Sequence, residues 1–566
     1  MREIKIPVGR SGFADIRRNG YYYIDKSGLI EALLKTDATQ ATLITRPRRF
    51  GKTLGMSMLA EFFDIRKDSA DLFSGLAVSE NENLCKMWMN QYPTVFVSFR
   101  SVEGMHFDGA YAMLSSVIAQ LYKEHLYLLD SVNVNMYDRK AFDRIASETA
   151  ERPELENSLL ILTKMLSEHF GKPVILLLDE YDVPLAKASD KGYYAEMLDM
   201  MKGVMRVIKD NDALKFAVIT GCLRIAKESV FTGTTNLVSD TISDTRLNEY
   251  FGFTQSEVDR LLTDTGLQGY GREMKEWYDG YRFGEVDVYC PWDVVNYVQD
   301  LMLDPRTEPS GYWKNSSDNA IIRSFIDELG TSITESFEKL LAGECIVQQI
   351  RDDMTYDYLH SSGDRKTIED NFWSVLYLTG YLTKGQEAEP TGREYLPKGS
   401  MRLKIPNKEI KEIFESTIAT WFKESSQKWD RSVLFSSVWN GDGEKVAEEL
   451  NRLLRQTISY HDYKEDFYHA FFAGVFAGAG YSVKSNREYG EGRSDIVVQD
   501  YAGDRMAVFE VKYARSRADL QASCEKAIPQ IRERGYAEEL EEDYAQVLCY
   551  GISFFKKRCF VKRLQK

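Results

Sequence analysis

The sequence predicts an α/β protein of several domains, with a parallel sheet near the amino terminus, a helical middle region and a second α/β unit at the carboxyl terminus. Four observations predict this fold class. Four apolar segments of strand length alternate with helix-like segments over roughly the first 220 residues. Aromatic-rich helical segments follow after about residue 250, and two apolar runs joined by a short turn lie near residue 500. The chain of 566 residues is also too long for one hydrophobic core.

The strands of the first sheet are predicted from continuous apolar runs, which are typical of strands buried on both faces. These runs are ATLIT at 41–45, TVFVSF at 94–99, VILLL at 174–178 and KFAVIT at 215–220. The first run ends at a loop, and the periodic stretch LGMSMLAEFFD follows that loop directly. We therefore expect a strand, a loop and a helix in succession around residue 50.

Composition excludes several classes of protein. Hydrophobic residues make up 43% of the chain and charged residues 28%, as in soluble globular proteins. No apolar run approaches the roughly 20 residues of a membrane span, and the amino-terminal MREIKIPVGRSG lacks the apolar core of a secretory signal. Seven cysteines occur without a C-x-x-C pair, which argues against a zinc site or a disulfide framework. We expect a cytoplasmic protein with free thiols and no membrane partner.

The charge distribution supports nucleic-acid binding only locally. A net charge of −15 argues against a non-specific binder of polyanions. The tail FFKKRCFVKRLQK at 554–566 carries six basic residues and no acidic ones. A short basic tail is more often a solvated end than a contact with DNA, so it supports nucleic-acid binding weakly.

The loop after the first strand has the residues of a phosphate-binding loop. RPRRFGKT at 46–53 matches the second half of G-x-x-x-x-G-K-[ST], with Arg46 in place of the first glycine. Gly51 lets backbone N–H groups approach a phosphate, Lys52 reaches the β and γ oxygens, and Thr53 can ligate magnesium. The positions predicted to bind the nucleotide here are Arg48, Arg49, Phe50, Gly51, Lys52 and Thr53.

A second motif supplies the carboxylates that phosphoryl transfer requires. VILLLDEYD places Asp179 and Glu180 at the end of a buried strand. One carboxylate in this arrangement organises magnesium and the next polarises the attacking water, so we predict Asp179 as a metal ligand and Glu180 as the catalytic base. The alternative is a strand that ends in a solvated acidic turn.

The fourth predicted strand ends with polar residues of its own. Thr220 is predicted to sense the γ-phosphate, and Arg224 to stabilise the charge that develops on it, in its own site or in that of a neighbouring subunit. The alternative, a strand cap and a surface arginine, stays open. An arginine acting in a neighbouring subunit would be compatible with a homo-oligomer.

With these motifs, residues 1–260 resemble the bacterial AAA-ATPase-like family of P-loop NTPases. The matching stretches are RPRRFGKT, LLLDEYDVPL, ITGCLRIAKESVF, YFGFT and WYDGYRFG. The arginine at position 46 belongs to the pattern of that family. The resemblance implies nucleotide binding. We expect ATP as the nucleotide and Mg²⁺ as the ion at Thr53 and Asp179, and hydrolysis of ATP is inferred from Glu180.

The carboxyl-terminal unit contains another group of acidic and basic residues. Asp495 begins one apolar strand, and Glu510 and Lys512 lie on the next, after a turn at 499–505. Because side chains alternate along a strand, Glu510 and Lys512 share a face. Asp495 and Glu510 are predicted to ligate magnesium, and Lys512 to orient the nucleophile or neutralise charge. The alternative is a hairpin with cross-strand salt bridges.

Two flanking helices are expected to complete this site. Residues 464–479 form an apolar helical pattern with Glu465 and His469 on one face, and Glu465 is predicted to join the metal ligands. Gln530 lies on a later helix, where it is expected to touch the substrate phosphate or orient Lys512. With EDFYHAFF, GRSDIVV, FEVKYA and AIPQIRERGYA, residues 460–550 resemble the PD-(D/E)XK nuclease superfamily. The resemblance implies a restriction-endonuclease-like α/β domain and a magnesium-dependent phosphodiesterase.

Three domains are therefore predicted: an AAA-ATPase-like P-loop domain at 1–260, a helical lid or connector at 261–455 and a PD-(D/E)XK nuclease-like domain at 456–566. Within the middle region, 273–284 and 371–383 are predicted helical and 384–400 a polar hairpin or loop. Its aromatic residues are expected to pack in a core rather than stack on bases. They are Trp277, Tyr278, Tyr281 and Trp313.

These features predict an ATP-regulated nuclease whose partner is nucleic acid, DNA rather than RNA. An alternative of a different class is a nucleotide-dependent switch or scaffold, whose last domain binds nucleic acid or a partner without cleaving. A third is an ATPase with a relic tail domain. Intact Asp495 and Glu510 favour the nuclease, whereas the acidic net charge favours the other two. Defence, mobile-element maintenance and repair would each fit this architecture.

Overall fold

The computed structural model describes most of the chain, with gaps. The described ranges are 4–35, 41–224, 230–231, 237–313, 333–351, 365–385, 396–426, 432–457, 465–477, 479–489, 492–533, 544–555 and 558–564. Two compact units are present, one at 1–315, 348–401 and 406–408, the other at 316–347, 402–405 and 409–566. The three-domain division expected from the sequence stays a prediction.

A five-stranded parallel sheet forms the centre of the first unit. Its strands are β1 (Ala41–Thr45), β2 (Thr94–Ser98), β3 (Val174–Asp179), β4 (Leu214–Gly221) and β5 (Leu237–Asp240). In the order β5-β1-β4-β3-β2, strand β4 separates the strand before the phosphate-binding loop from the strand with the acidic motif. The four predicted strands are confirmed. The sequence did not reveal β5, because its four residues form no apolar run.

Helices cover this sheet, as the alternating pattern predicts. They are α1 (Phe13–Arg18), α2 (Gly28–Leu34), α3 (Lys52–Phe63), α4 (Ala70–Phe73), α5 (Glu82–Trp88), α6 (Phe107–Lys123), α7 (Met136–Ala146), α8 (Arg152–Glu156), α9 (Ser158–Phe170), α10 (Val183–Lys191) and α11 (Tyr194–Val204). Helix α3 buries Phe62 and Phe63 in a core shared with Ile175, Leu177 and Val218 of the sheet. This packing holds the amino terminus of α3 at the ends of β1 and β3.

The rest of the first unit begins with helices and a small hairpin. Its elements to residue 303 are α12 (Gln255–Thr265), α13 (Gly271–Tyr278), β6 (Tyr281–Phe283), β7 (Val286–Val288) and α14 (Pro291–Leu303). The helical prediction for 273–284 is wrong beyond Tyr278. Gly280 has φ 94°, a left-handed conformation that glycine adopts without strain, and the chain continues into the hairpin of β6 and β7.

Helices and short strands also occur in the described parts of residues 334–426. They are α15 (Thr334–Leu341), β8 (Ile346–Gln349), α16 (Arg365–Leu378), β9 (Thr383–Lys384), β10 (Ser400–Lys404) and α17 (Lys408–Ser426). The three strands pair in the order β8-β10-β9. The helix predicted at 371–383 ends at Leu378, because Gly380 has φ 89° and closes the turn before β9. Of the polar segment predicted at 384–400, residues 386–395 lie outside the described residues.

The second unit ends in a mixed sheet with helices, which confirms the predicted fold class. Its last elements are α18 (Ser432–Asn440), α19 (Gly443–Thr457), α20 (Glu465–Ala477), β11 (Ser482–Tyr489), β12 (Gly492–Asp500), β13 (Arg505–Tyr513), α21 (Leu520–Glu533), β14 (Gln546–Phe555) and β15 (Arg558–Arg563). The sheet has the order β11-β12-β13-β14-β15. Only β13 and β14 pair in parallel, which the crossover helix α21 permits.

Within the basic carboxyl-terminal segment, residues Arg558–Arg563 form a strand of this sheet. Strand β15 pairs with β14 from Arg558 to Arg563. Cys559 and Val561 are buried, whereas Arg558 and Lys562 are exposed. The alternation that a strand imposes therefore separates the apolar side chains of this segment from its basic ones.

Several predictions from composition can be compared with the structure. In the described part of the chain, no helix is long and apolar enough to cross a membrane. All seven cysteines are free, and five of them are buried. Tyr278, Tyr281 and Trp313 are buried, which confirms the expectation that these aromatic residues pack in a core.

Candidate functional site

The phosphate-binding loop has the backbone conformation that its glycine predicts. Gly51 has φ 83°, and a β-carbon placed there would meet nothing within 4 Å, so the space before the amino terminus of α3 is open. The Nζ of Lys52 donates to the backbone carbonyls of Arg46 at 2.9 Å and Pro47 at 3.0 Å. Lys52 is 3% exposed, so its ammonium group lies inside the loop. This arrangement suits the binding of an anion at a helix amino terminus.

The first position of the loop is a structural anchor. Arg46 is fully buried, and its guanidinium pairs with the carboxylate of Asp240 at the end of β5, at 2.6 Å. It also donates to the backbone carbonyls of Thr45 and Asp240. Arg46 therefore ties the loop to the edge strand of the sheet. Sequence reasoning missed Asp240 because β5 was not recognised.

Aromatic side chains from the region after the sheet pack against residues of the phosphate-binding loop. The ring of Phe50 is fully buried against Tyr281, at a centroid distance of 4.9 Å, and Phe283, at 5.0 Å. The guanidinium of Arg49 lies 4.4 Å from the ring centroid of Trp292. The side chain of Phe50 is thus directed into the core, whereas Arg48 is exposed. Of these three predicted nucleotide-binding positions, Phe50 is buried, Arg49 is half-buried and Arg48 is exposed to solvent.

Asp179 is the meeting point of three hydroxyl groups from three elements. Its carboxylate accepts hydrogen bonds from Thr53 of α3 at 2.9 Å, Thr220 of β4 at 2.6 Å and Ser98 of β2 at 3.2 Å. Burial raises the pKa of Asp179, and the bond from Thr220 opposes that effect. The structure therefore brings together Thr53, Asp179 and Thr220, three residues predicted from separate motifs. Their hydroxyl and carboxylate oxygens are donors that suit magnesium.

Glu180 follows Asp179 in an unusual backbone conformation. Its φ is 55°, in the left-handed region that non-glycine residues rarely adopt and that is often found at functional sites. Burial lowers the pKa of Lys52, but the combined effect of Cys222, Glu180, Asp182 and Asp179 exceeds it, so the pKa is raised and the ammonium form is favoured. The charges of Lys52 and Glu180 are therefore close enough to interact.

Arg224 is the predicted site residue that is least connected to this cluster. It is half-buried and follows the end of β4. Among the described residues, no hydrogen bond joins it to Thr53, Asp179 or Thr220. Its predicted role therefore has less geometric support than that of Thr220.

The second candidate site lies on β13. Glu510 is 1% exposed, and its Oε1 lies 3.2 Å from the Nζ of Lys512, two residues along the same strand. Strand β12 runs antiparallel to β13, with Ile496 opposite Phe509. Asp495 directly precedes Ile496, but its side chain lies outside the described residues. The shared face predicted for Glu510 and Lys512 agrees with this ion pair.

The flanking helices are present where the sequence placed them. Helix α20 begins at Glu465, whose side chain is outside the described part of the structure, as is that of His469. Gln530 lies half-buried on α21. Among the described side chains, no group of three or more His, Cys, Asp or Glu residues has the arrangement of a metal site. The ligand set that includes Asp495 and Glu465 therefore stays a prediction.

Comparison with known families gives a match for each of the two domains. Residues 7–231 match the family model described as "Predicted AAA-ATPase", and residues 463–564 match that of the PD-(D/E)XK nuclease superfamily. The chain joins an AAA-ATPase-like domain to a PD-(D/E)XK nuclease superfamily domain. The architecture is thus that of a nucleotide-binding protein with a nuclease-type domain.

A relative is similar to this chain over nearly its whole length. It is a protein of Azotobacter chroococcum mcd 1, named "Uncharacterized protein in vnfD 5'region". The two sequences are 26% identical over 573 residues, which cover 98% of this chain and 97% of the relative. The similarity therefore extends through the region between the AAA-ATPase-like domain and the nuclease-type domain.

Sequence reasoning missed several residues of the AAA-ATPase-like site. Ser98 ends a strand that was predicted, and its polar character at a carboxyl end was a signal that could have been used. Asp182 belongs to the acidic motif itself, but roles were predicted from the sequence only for Asp179 and Glu180. Trp292 had no local signal, since it contacts Arg49 from an element some 240 residues away.

Proposed function

We propose that the AAA-ATPase-like domain binds Mg²⁺-ATP and hydrolyses it, and that the nuclease-type domain is a magnesium-dependent phosphodiesterase acting on nucleic acid, DNA rather than RNA. The observation that carries the first part is the bond between Thr53 and Asp179, which joins the phosphate-binding loop to the acidic motif. An expected cytoplasmic location agrees with a reaction that consumes ATP.

The residues of the first site have distinct roles in this proposal. Lys52 neutralises the β- and γ-phosphate oxygens, while the backbone N–H groups at Gly51 bind them. Thr53 and Asp179 would hold a magnesium ion, which would offset phosphate charge and orient the reacting group. Glu180 accepts a proton from the water that attacks the γ-phosphorus, and ADP leaves as the bond to its terminal oxygen breaks.

The hydroxyl of Thr220 supports the same reaction from strand β4. It donates to Asp179 at 2.6 Å and so keeps that carboxylate in one orientation. We assign Arg224 the stabilisation of charge on the leaving phosphate, either in its own subunit or in that of a second copy. The second possibility requires a homo-oligomer.

In the nuclease-type domain, Glu510 and Asp495 are the proposed metal ligands, with Glu465 as a third. The metal would lower the pKa of a bound water and polarise the phosphodiester. Lys512, which lies 3.2 Å from Glu510, is placed to orient that water or to neutralise the charge that develops on the phosphate. Gln530 is assigned contact with the substrate phosphate or with Lys512. In cleavage the oxygen of the attacking water forms a new bond to phosphorus, the P–O bond to the leaving oxygen breaks, and a proton is transferred to that oxygen.

The test combines both activities in one set of reactions. Purified protein is incubated with plasmid, linear and single-stranded DNA and with RNA, in magnesium or manganese, with and without ATP. Lys52→Ala and Glu510→Gln are compared with Lys123→Ala and Glu525→Gln, two substitutions at exposed ion pairs. We expect cleavage that depends on ATP, that is lost in Glu510→Gln and that no longer responds to ATP in Lys52→Ala.

Two other outcomes would change the proposal. If ATP is hydrolysed while every nucleic acid stays intact, the nuclease activity is refuted and a nucleotide-dependent switch or scaffold takes its place. If ATP binds equally to the wild type and to Lys52→Ala, the nucleotide site is not the one proposed.

A further inference from the structure

The last two residues of the acidic motif contact the segment that follows β4. Asp182 is 1% exposed, and its Oδ2 accepts hydrogen bonds from the backbone N–H groups of Cys222 and Leu223, both at 3.0 Å. The hydroxyl of Tyr181 donates to the carbonyl of Leu223 at 2.9 Å. Three hydrogen bonds therefore connect the residues after β3 to those after β4.

Close packing adds to these hydrogen bonds. A β-carbon at Gly221 would lie 2.6 Å from the Cε1 of Tyr181 and 2.7 Å from the Oδ1 of Asp182. Contacts this short mean that a side chain at position 221 would displace Tyr181 or Asp182, so glycine preserves this packing. The backbone N–H of Tyr181 also donates to the carbonyl of Thr220 at 3.1 Å. The segment from Thr220 to Leu223 is thus held on several sides.

This segment carries groups that face the proposed ATP site. Thr220 donates to Asp179 at 2.6 Å, and the Sγ of Cys222 lies 3.6 Å from the Nζ of Lys52. Arg224 follows directly after Leu223. Any displacement of the segment would therefore move a partner of Asp179 and a neighbour of Lys52 together.

We propose that Asp182 is a positioning residue for ATP hydrolysis, which holds the segment after β4 so that Thr220 remains bonded to Asp179. The inference rests on the proposed hydrolysis of ATP and deepens it. Asp182 acts through Thr220 and through the backbone, without touching the reacting atoms. Its loss should lower kcat more than the affinity for the nucleotide, because Lys52 and Gly51 are proposed to bind the phosphates, whereas Asp182 holds the backbone of Cys222 and Leu223.

The test compares kcat with the dissociation constant of Mg²⁺-ATP in the full chain. Asp182→Ala removes both acceptor bonds, and we expect kcat to fall by about 30-fold or more while Kd changes by less than about 3-fold. Asp182→Asn keeps an oxygen that can accept both N–H groups, and it should retain kcat within about 5-fold. Asp64→Ala is the control, because Asp64 is also a buried carboxylate that accepts a hydrogen bond from a backbone N–H. Its donor is the N–H of Arg66, at 3.0 Å. Asp64→Ala should lower the melting temperature without lowering kcat selectively relative to the affinity for Mg²⁺-ATP.

The outcomes distinguish this inference from the function on which it rests. If the wild type shows no turnover of ATP, the proposed hydrolysis fails and this inference fails with it. If the wild type turns over ATP and folded Asp182→Ala does so equally well, only the role of Asp182 is refuted. If Asp182→Ala does not fold, Asp182→Ser takes its place, since its shorter side chain cannot reach both N–H groups. Equal losses of kcat and affinity in that variant would also refute the proposal.

Discussion

The guanidinium of Arg46 and the carboxylate of Asp240 form a buried ion pair of 2.6 Å behind the phosphate-binding loop. Arg46 occupies the position of the first glycine in the motif G-x-x-x-x-G-K-[ST], and its backbone carbonyl accepts a hydrogen bond from Lys52. One residue therefore connects the edge strand β5 to the lysine that is proposed to bind phosphate. The loop is restrained by this pair and by packing rather than by the small size of glycine.

Removing the acidic partner of this pair should destabilise the AAA-ATPase-like domain strongly. In Asp240→Ala the guanidinium of Arg46 stays buried without its carboxylate, and such a loss typically costs about 3–5 kcal/mol. Arg246, which lies 3.4 Å from the same carboxylate, would lose a partner as well. Thermal unfolding followed by circular dichroism measures the effect. Glu148→Ala, which removes an exposed ion pair with Lys123, should change stability by less than about 1 kcal/mol.

Introducing the first glycine of G-x-x-x-x-G-K-[ST] at position 46 should lower both the stability of the protein and its affinity for the nucleotide. Arg46→Gly leaves Asp240 buried without its main cation and frees the backbone of the loop. We expect a lower melting temperature and weaker binding of Mg²⁺-ATP, measured by titration calorimetry. Arg18→Gly, at the end of a short helix, serves as a comparison for the same change at an exposed position. Tighter nucleotide binding in Arg46→Gly would show that the anchor is dispensable.

The hydrogen bond between Thr53 and Asp179 predicts that the effect of Thr53 on ATP affinity depends on magnesium. Thr53→Ala removes one proposed ligand, so the affinity for ATP should fall by about tenfold or more with magnesium present. With magnesium chelated, the variant and the wild type should bind ATP equally. Ser57→Ala, on the same helix, is a control whose hydroxyl accepts from the backbone of Phe13 instead. A loss of affinity that is the same with and without magnesium would argue against the metal role.

The pair on β13 should separate metal binding from catalysis. Glu510→Gln is expected to weaken binding of Mn²⁺ and to abolish cleavage, because it removes a charged ligand. Lys512→Ala should reduce cleavage by about 100-fold while the metal still binds. Calorimetric titration with Mn²⁺ and a cleavage assay on the same preparations measure the two effects. Unchanged metal affinity in Glu510→Gln would remove that residue from the proposed ligand set.

Stability at acidic pH should depend on His125. Burial, with a smaller effect of Arg66, lowers the pKa of His125 to about 3, whereas the unfolded chain has a value of about 6.5. Between these two values the unfolded state binds a proton that the folded state does not, so stability falls as the pH drops from about 6.5 toward 3. The slope contributed is at most about 1.4 kcal/mol per pH unit. In His125→Asn this part of the slope should disappear.

Denaturant unfolding of the wild type and His125→Asn at pH 7, 6, 5 and 4 checks this prediction. His106→Asn provides a control, since that residue is exposed at the start of a helix. Parallel pH profiles for the wild type and His125→Asn would contradict the prediction.

Local patterns were sufficient for much of the fold. The run at 174–178 is apolar throughout, and the run at 41–45 contains only apolar residues and threonine. Every residue of both strands is buried, and each strand lies within a residue of its predicted bounds. The helical predictions after residue 270 failed at Gly280 and Gly380, where a left-handed glycine ends the helical path. Apolar and aromatic composition alone could not distinguish a helix from the turn and strand that follow it.

By itself, the sequence determined the parallel sheet, the phosphate-binding loop, the acidic motif and the strand that carries Glu510 and Lys512. Each of these depends on neighbours in the chain, whose spacing and hydrophobicity can be read directly. Only the tertiary structure decided that Ser98, Thr53 and Thr220 meet at Asp179, that Asp240 neutralises Arg46 and that Asp182 holds the segment after β4. These contacts join residues far apart in the chain, because strand order and packing bring them together, and local propensity carries no information on either.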